Sequence, residues 1–243
     1  MREWAGKRYW LVGASEGLGA ALAHRMSVAG VELVLSARSE DSLRALSEAL
    51  PGKAHVAPVD ITDAKGLKTV LDEAGEIDGV VHMAGVYWPF GAKEWDAEQA
   101  NLMADVNFTG AMKLMGVVVP RFVERGHGHI VLTGSLSGFR GLPNAAPYVA
   151  SKAGVMALAE SLHADLHRSD IDVQLVNPGF VKTRLTDKNS FSMPFIMAPE
   201  DAARAYFEHM TSDRFKRSFP TLFSLVFRGS QLLPDWLYYR LFA

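Results

Sequence analysis

Short apolar runs recur along the chain, separated by longer stretches in which apolar positions return every three or four residues. The runs are "RYWLVGA" (8–14), "VELVLSA" (31–37), "KAHVAPVD" (53–60), "IDGVVHMAG" (77–85), "HIVLTGS" (129–135) and "IDVQLVNPG" (171–179). Near-continuous apolarity over so few residues is the pattern of a strand buried on both faces. The stretches between them read as helices: "LGAALAHRMSVAG" (18–30) ending at Gly30, "EDSLRALSEAL" (40–50), one between the third and fourth runs, a long region over 97–125, and one from about Pro147 to His167. Strands alternating with helices predict an α/β fold, a Rossmann-like doubly wound sheet of about seven mostly parallel strands in a three-layer α/β/α sandwich. A nucleotide would lie at the carboxyl ends of the strands.

No Ser/Gly tract, Pro-rich run or charge block interrupts the pattern, and no internal repeat is evident. One domain over 1–243 is expected. After about residue 210 the pattern changes. "FPTLFSLVFRGSQLLPDWLYYRLFA" (219–243) predicts two short helices, about 220–228 and 234–241, each with a proline near its start. The tail is an apolar extension of the same domain.

Composition narrows the function classes. Hydrophobic residues make up 49% and charged residues 21%, with a formal net charge of -2. There is no basic excess to suggest nucleic acid. The absence of cysteine excludes thiolate chemistry and fits a cytoplasmic protein. No uncharged apolar run reaches the ~18 residues of a membrane span, and the N-terminus shows no signal-peptide pattern. His163 and His167 share a helix face but lack a third ligand, so no metal is expected. "HGH" (127–129) reads as structural.

"GASEGLG" places Gly13, Gly17 and Gly19 between the first strand and the first helix. Glycine there permits a tight turn and lets backbone approach a phosphate at a helix N-terminus. The alternative is a glycine-rich turn with no ligand. At the end of the second strand, where an acidic residue would hold the ribose 2′-hydroxyl of NAD, the chain has Ala37 and then Arg38. Arginine's forked donors suit a 2′-phosphate, which favours NADP(H). Glu16 would lie near that phosphate unless Arg38 neutralises it. Tyr148 and Lys152 lie four apart on one helix face. An ammonium beside a phenol favours the phenolate and lowers its pKa towards the working range of a general acid–base.

Taken together, the Gly-x-x-x-Gly-x-Gly loop, the strand-end Ser135 standing 13 residues before Tyr148, and Tyr-x-x-x-Lys resemble the short-chain dehydrogenase/reductase family. "VNPGFVKT" (176–183), "DVNFTG" (105–110) and "VDITD" (59–63) are similar to that family's other motifs, and the resemblance spans roughly 8–210. It implies that Tyr148 is the proton donor in reduction and that Lys152 lowers its pKa and holds the nicotinamide ribose. Ser135 would bond the substrate carbonyl oxygen, and Asn107 would keep a relay water in place. Cofactor contacts would come from Gly13, Ser15, Gly17, Leu18, Gly19, Arg38, Asp60, Ile61, Ala84, Gly85, Tyr148, Lys152, Pro178, Gly179, Val181 and Thr183. The chain departs from the family at Val12, at His82 and Met83 of "HMAG", and at Gly134.

The expected function is therefore an NADP(H)-dependent oxidoreductase acting on CH–OH groups, interconverting a carbonyl and an alcohol. A catalytically idle dinucleotide-binding sensor or scaffold is the alternative. "FVKTRLTDKNSFSMPFIM" (180–197) is rich in Phe and Met, which suits a bulky lipophilic substrate. A homodimer or homotetramer is expected. The tail's apolar surface is expected to pack beside the subunit interface or over the substrate entrance. A membrane surface ranks third, because only Arg228 and Arg240 are basic there.

Overall fold

A computed structural model of the chain describes residues 2–189 and 191–242. Seven strands form one sheet: β1 (Arg8–Val12), β2 (Glu32–Ser36), β3 (Ala54–Val56), β4 (Gly79–His82), β5 (His127–Thr133), β6 (Asp170–Pro178) and β7 (Lys216–Phe219). Their order is β3-β2-β1-β4-β5-β6-β7, and every pairing is parallel. The order reverses between β1 and β4, the switch point at which a doubly wound sheet opens a crevice.

The pleat of β1 shows how one short run supplies two cores. Trp10 and Val12 face one side, where Val80, Ile130 and Leu132 join them. That side is covered by α3 (Ala64–Ala74), α5 (Gly110–Arg125) and α6 (Ala146–Leu166), through Leu67, Leu114, Val118, Phe122 and Val155. Tyr9 and Leu11 face the other side with Leu33, Val81 and Val131. There α1 (Gly17–Val28), α2 (Glu40–Ala49) and α7 (Pro199–Met210) cover them with Leu22, Met26, Leu43 and Tyr206.

The expected long helix is α4 (Ala97–Ala104) running through a π-helical turn (Asp105–Thr109) into α5. By length and composition Ala97–Arg125 could cross a membrane. Its apolarity is accounted for by the stripe it buries against the sheet.

Three features differ from the pattern reading. The strand expected over 53–60 pairs only across Ala54–Val56 before the chain loops out. The seventh strand is "KRSF", paired along one side to β6. An edge strand needs apolar faces least, so its sequence reads as charged surface. Helix α7 is a further element beyond those the pattern predicts, although Pro199 in its first turn followed by Glu200 and Asp201 is a start signal.

The tail forms α8 (Thr221–Ser230) and α9 (Asp235–Phe242). Arg140 fastens it. Its guanidinium donates to the Ser230 and Leu233 carbonyls at 2.5 and 2.8 Å, pairs with Asp235 at 2.5 Å, and lies 3.9 Å over the Tyr238 ring. The Tyr238 hydroxyl donates to the Gly141 carbonyl at 2.5 Å.

Candidate active site

A cleft of about 390 Å³ opens at the carboxyl ends of β1, β4, β5 and β6. Its floor at one end is the β1–α1 turn. Gly13 has φ +97°, and a Cβ there would stand 2.4 Å from the Ala84 nitrogen. Gly17 has φ +54°, and its Cβ would meet Thr183 at 2.7 Å. Only glycine lets these three loops close together. Helix α1 starts with no side-chain cap and no acidic residue in its first turn. Its free N–H groups and positive dipole end therefore face the cleft, an arrangement that fits the diphosphate of a dinucleotide.

Arg38 is exposed on the cleft wall beside Ser39 and Ser42. The charge of Glu16, which Arg38 was one candidate to neutralise, is paired instead with Arg184 at 2.9 Å. Arg184 comes from the loop after β6, which lies closer to the glycine turn than sequence spacing suggests. The Asp60 carboxylate accepts from the backbone and hydroxyl of Thr62, both at 2.8 Å, and so shapes the opposite wall.

At the other end lie Ser135, Tyr148 and Lys152. Ser135 ends the segment after β5, where its Oγ accepts from the Ser137 N–H at 3.1 Å. Tyr148 stands in the first turn of α6, in edge-to-face contact with Tyr87 at 4.8 Å. Lys152 is buried; its Nζ donates to the Thr133 carbonyl at 3.1 Å and lies 5.9 Å from the Tyr148 ring centre. Burial pushes the Tyr148 phenol up to about 12, with the Ser135 hydroxyl pulling the other way. Burial also pushes Lys152 down to about 8. The phenol is thus raised where the sequence pattern predicts a fall: desolvation penalises both charged forms, and Lys152 is not among the groups that lower Tyr148.

Among the residues singled out from sequence, Gly13, Ser15, Gly17, Leu18, Gly19, Arg38, Asp60, Ile61, Ala84, Gly85, Ser135, Tyr148, Lys152, Pro178, Gly179, Val181 and Thr183 all line this cleft. Asn107 does not. It sits fully buried in the π-helical turn. Its Oδ1 accepts from the Val86 N–H at 2.7 Å, and its Nδ2 donates to the Val86 carbonyl and the Ser151 hydroxyl, both at 3.0 Å. Both amide hydrogens are committed. Its side chain braces the loop after β4 against α6 behind the cleft wall.

Sequence reasoning missed several neighbours. Lys188 donates to the Tyr87 carbonyl at 2.8 Å and lies 4.1 Å over the Trp88 ring, tying the 180–198 loop to the loop after β4. The aromatic run "VYWPF" directly after "HMAG" was an available signal. Phe223 of α8 packs against Phe180 at 5.7 Å and Phe195 at 5.6 Å, so the tail adds to the wall of that loop. His82 is fully buried with both ring nitrogens unpartnered among the described residues, and burial with the nearby Lys152 charge pushes it down to about 3. Away from the cleft, His163 stacks on Phe215 at 4.1 Å and His167 bonds the Ala164 carbonyl at 2.7 Å. His129 is buried between the Tyr9 hydroxyl and the Gln174 side chain, each at 2.9 Å.

The family model for short chain dehydrogenases matches residues 7–192. An uncharacterized oxidoreductase of Myxococcus xanthus is 37% identical, covering 98% of this chain and 97% of its own. The 3-oxoacyl-(acyl-carrier-protein) reductase FabG of Escherichia coli is 30% identical over 74% of this chain and 76% of its own. Among solved structures, a short-chain dehydrogenase/reductase from Burkholderia phymatum in complex with NAD superposes with a TM-score of 0.86 at 24% identity, covering 94% of both chains. An actinorhodin polyketide ketoreductase with NADPH superposes with a TM-score of 0.73 at 25% identity, covering 83% of this chain and 89% of that one. The chain belongs to the short-chain dehydrogenase/reductase family, and is an oxidoreductase with a dinucleotide-binding fold.

Proposed function

We propose that the protein is an NADP(H)-dependent reductase of bulky lipophilic carbonyl compounds, with Tyr148 as its acid–base. What carries the reading is the meeting of Ser135, Tyr148 and Lys152 on one wall of the cleft whose far end holds the glycine turn and Arg38. Bound reduced nicotinamide would supply the hydride. The chain's own groups handle the oxygen left behind. A phenol pushed up to about 12 stays protonated at neutral pH, and can pass its proton to an oxygen becoming an alkoxide. The Ser135 hydroxyl, beside the phenol, would donate to the same oxygen as charge develops. Lys152, pushed down to about 8, is still largely protonated at pH 7 and favours that build-up of negative charge.

NADP(H) over NAD(H) is supported by Arg38, which has no carboxylate partner among the described residues, and by the pairing of Glu16 with Arg184. The lipophilic substrate is supported by Phe180, Phe191, Phe195 and Phe223, which form one aromatic cluster beside the cleft. We take residues 1–243, tail included, as one catalytic domain that works as a homo-oligomer through the long helices near 105–125 and 147–167, where Met112 and Val123 are exposed. The test is a panel of ketones followed by NADPH and NADH oxidation. Faster turnover with NADPH and with large apolar ketones is expected. A preference for NADH, or for small polar substrates, overturns that part of the reading.

A further inference from the structure

Exposed apolar side chains are not spread evenly over this protein. Ten of the fifteen large ones among the described residues lie within 191–241. Helix α8 explains part of this. Its inner side holds Ser224 and Ser230 buried and sets Phe223 against Phe180 and Phe195. Leu222, Leu225 and Val226, at i, i+3 and i+4, stand on the outer side with exposures of 72%, 53% and 49%. Leu232 follows, and then Trp236, Tyr239 and Leu241 of α9 are exposed as well. Phe195, itself exposed, packs on Phe223 and so ties α8 to the loop at the cleft. So many exposed apolar side chains gathered in one segment mark an interaction site.

Charge tells which partner fits. The sole acidic residue in 214–242 is Asp235, and Arg140 holds it at 2.5 Å. Arg228 and Arg240 are exposed, and neither has a carboxylate partner among the described residues. In a contact between two copies of this face the arginines would find no free carboxylate opposite, since Asp235 is already held by Arg140. Anionic lipid headgroups would instead complement them. Exposed Trp236 and Tyr239 add amphipathic rings of the kind that settle at a lipid–water boundary. We infer that the outer face of α8 and α9 docks on an anionic phospholipid surface, with the loop at the mouth of the cleft turned towards it. Two arginines are few, so apolar burial dominates the attraction and charge sets the lipid preference.

Docking is independent of the lipophilic-substrate reading, because it is measured without substrate or cofactor. The full chain should cosediment with vesicles of equal parts phosphatidylcholine and phosphatidylglycerol, and more weakly with phosphatidylcholine alone. The triple variant Leu222→Asp, Leu225→Asp, Trp236→Asp should lose about ten-fold or more of this partitioning. Its circular dichroism and its turnover of a water-soluble ketone should match the wild type. The pair Arg228→Gln, Arg240→Gln should bind both vesicle types alike. A wild-type chain that stays in the supernatant with anionic vesicles overturns the inference. So does a triple variant that pellets like the wild type. If wild type ignores vesicles and the triple variant sediments as a smaller species, a second copy covers this face instead.

Discussion

At the β1–α1 end of the cleft the wall is backbone; the loop after β6 that runs beside the cleft is packed with aromatic side chains. Gly13 lies so close to Ala84 that no side chain fits between them, and the first turn of α1 points bare N–H groups at the ligand space. Such a wall recognises what every dinucleotide carries, and it does not depend on rotamers. Beside the cleft Phe180, Phe191, Phe195 and Phe223 pack together, from a loop and from a helix that Arg140 holds in place. Aromatic and Met side chains re-pack more easily than backbone, so this end can change its ligand without changing the sheet. A backbone wall and a side-chain cluster thus differ in how readily each can change, because of which atoms build them.

The sharpest break of this contrast falls where the two ends meet. Tyr148→Phe should cost about 10²–10⁴-fold in turnover, the usual worth of a positioned acid–base. NADPH binding, read by fluorescence, should be little changed, since the glycine turn is untouched. Turnover within a few-fold of wild type would remove Tyr148 from the chemistry.

Acid should attack the sheet and spare the tail. His82 and His129 are buried and pushed down to about 3, whereas an unfolded chain titrates them near the ordinary value of 6.5. As pH falls the unfolded state takes up these protons first. The stability they contribute is therefore complete above about 6.5 and drains below it, by about 2 kcal/mol per histidine at pH 5. Calorimetry should show the melting temperature falling between pH 7 and 5. In His129→Gln that fall should be shallower. An equal slope in the variant would assign the acid loss elsewhere. The tail contains no histidine.

Arg38→Ala should weaken NADPH by about ten- to a hundred-fold, or 1.5–3 kcal/mol, while leaving NADH nearly unchanged. Equal loss of both cofactors would mean that Arg38 supports the loop and does not grip a phosphate. Phe223→Ala should have the smallest effect, about 1 kcal/mol or five-fold in the KM of a large apolar ketone, with kcat and NADPH affinity nearly unchanged. No change in KM would separate the tail from the substrate end altogether.

How much of this was legible follows the same division. Apolar runs and helical periods were enough for six of the seven strands and for the parallel sheet, because a strand buried on both faces leaves a local record. Gly13, Gly17 and Gly19 were legible for a like reason: a backbone crowded by its neighbours admits glycine alone, so the constraint is written in residue type. Ser135, Tyr148 and Lys152 stood out by type, order and spacing. Tertiary structure decided what spacing cannot encode. It set Glu16 against Arg184 rather than Arg38, because two loops distant in sequence meet over the sheet. It placed Asn107 behind the cleft wall, where both its amide hydrogens are taken by protein. It raised the Tyr148 phenol where the helical neighbour alone predicted a fall, since desolvation depends on everything packed around a group and not on its nearest charge. It also divided the tail's apolar residues into those that pack on the loop after β6 and those left facing outward. Periodicity marks a face as apolar, but what stands opposite that face is settled only when distant parts of the chain come together.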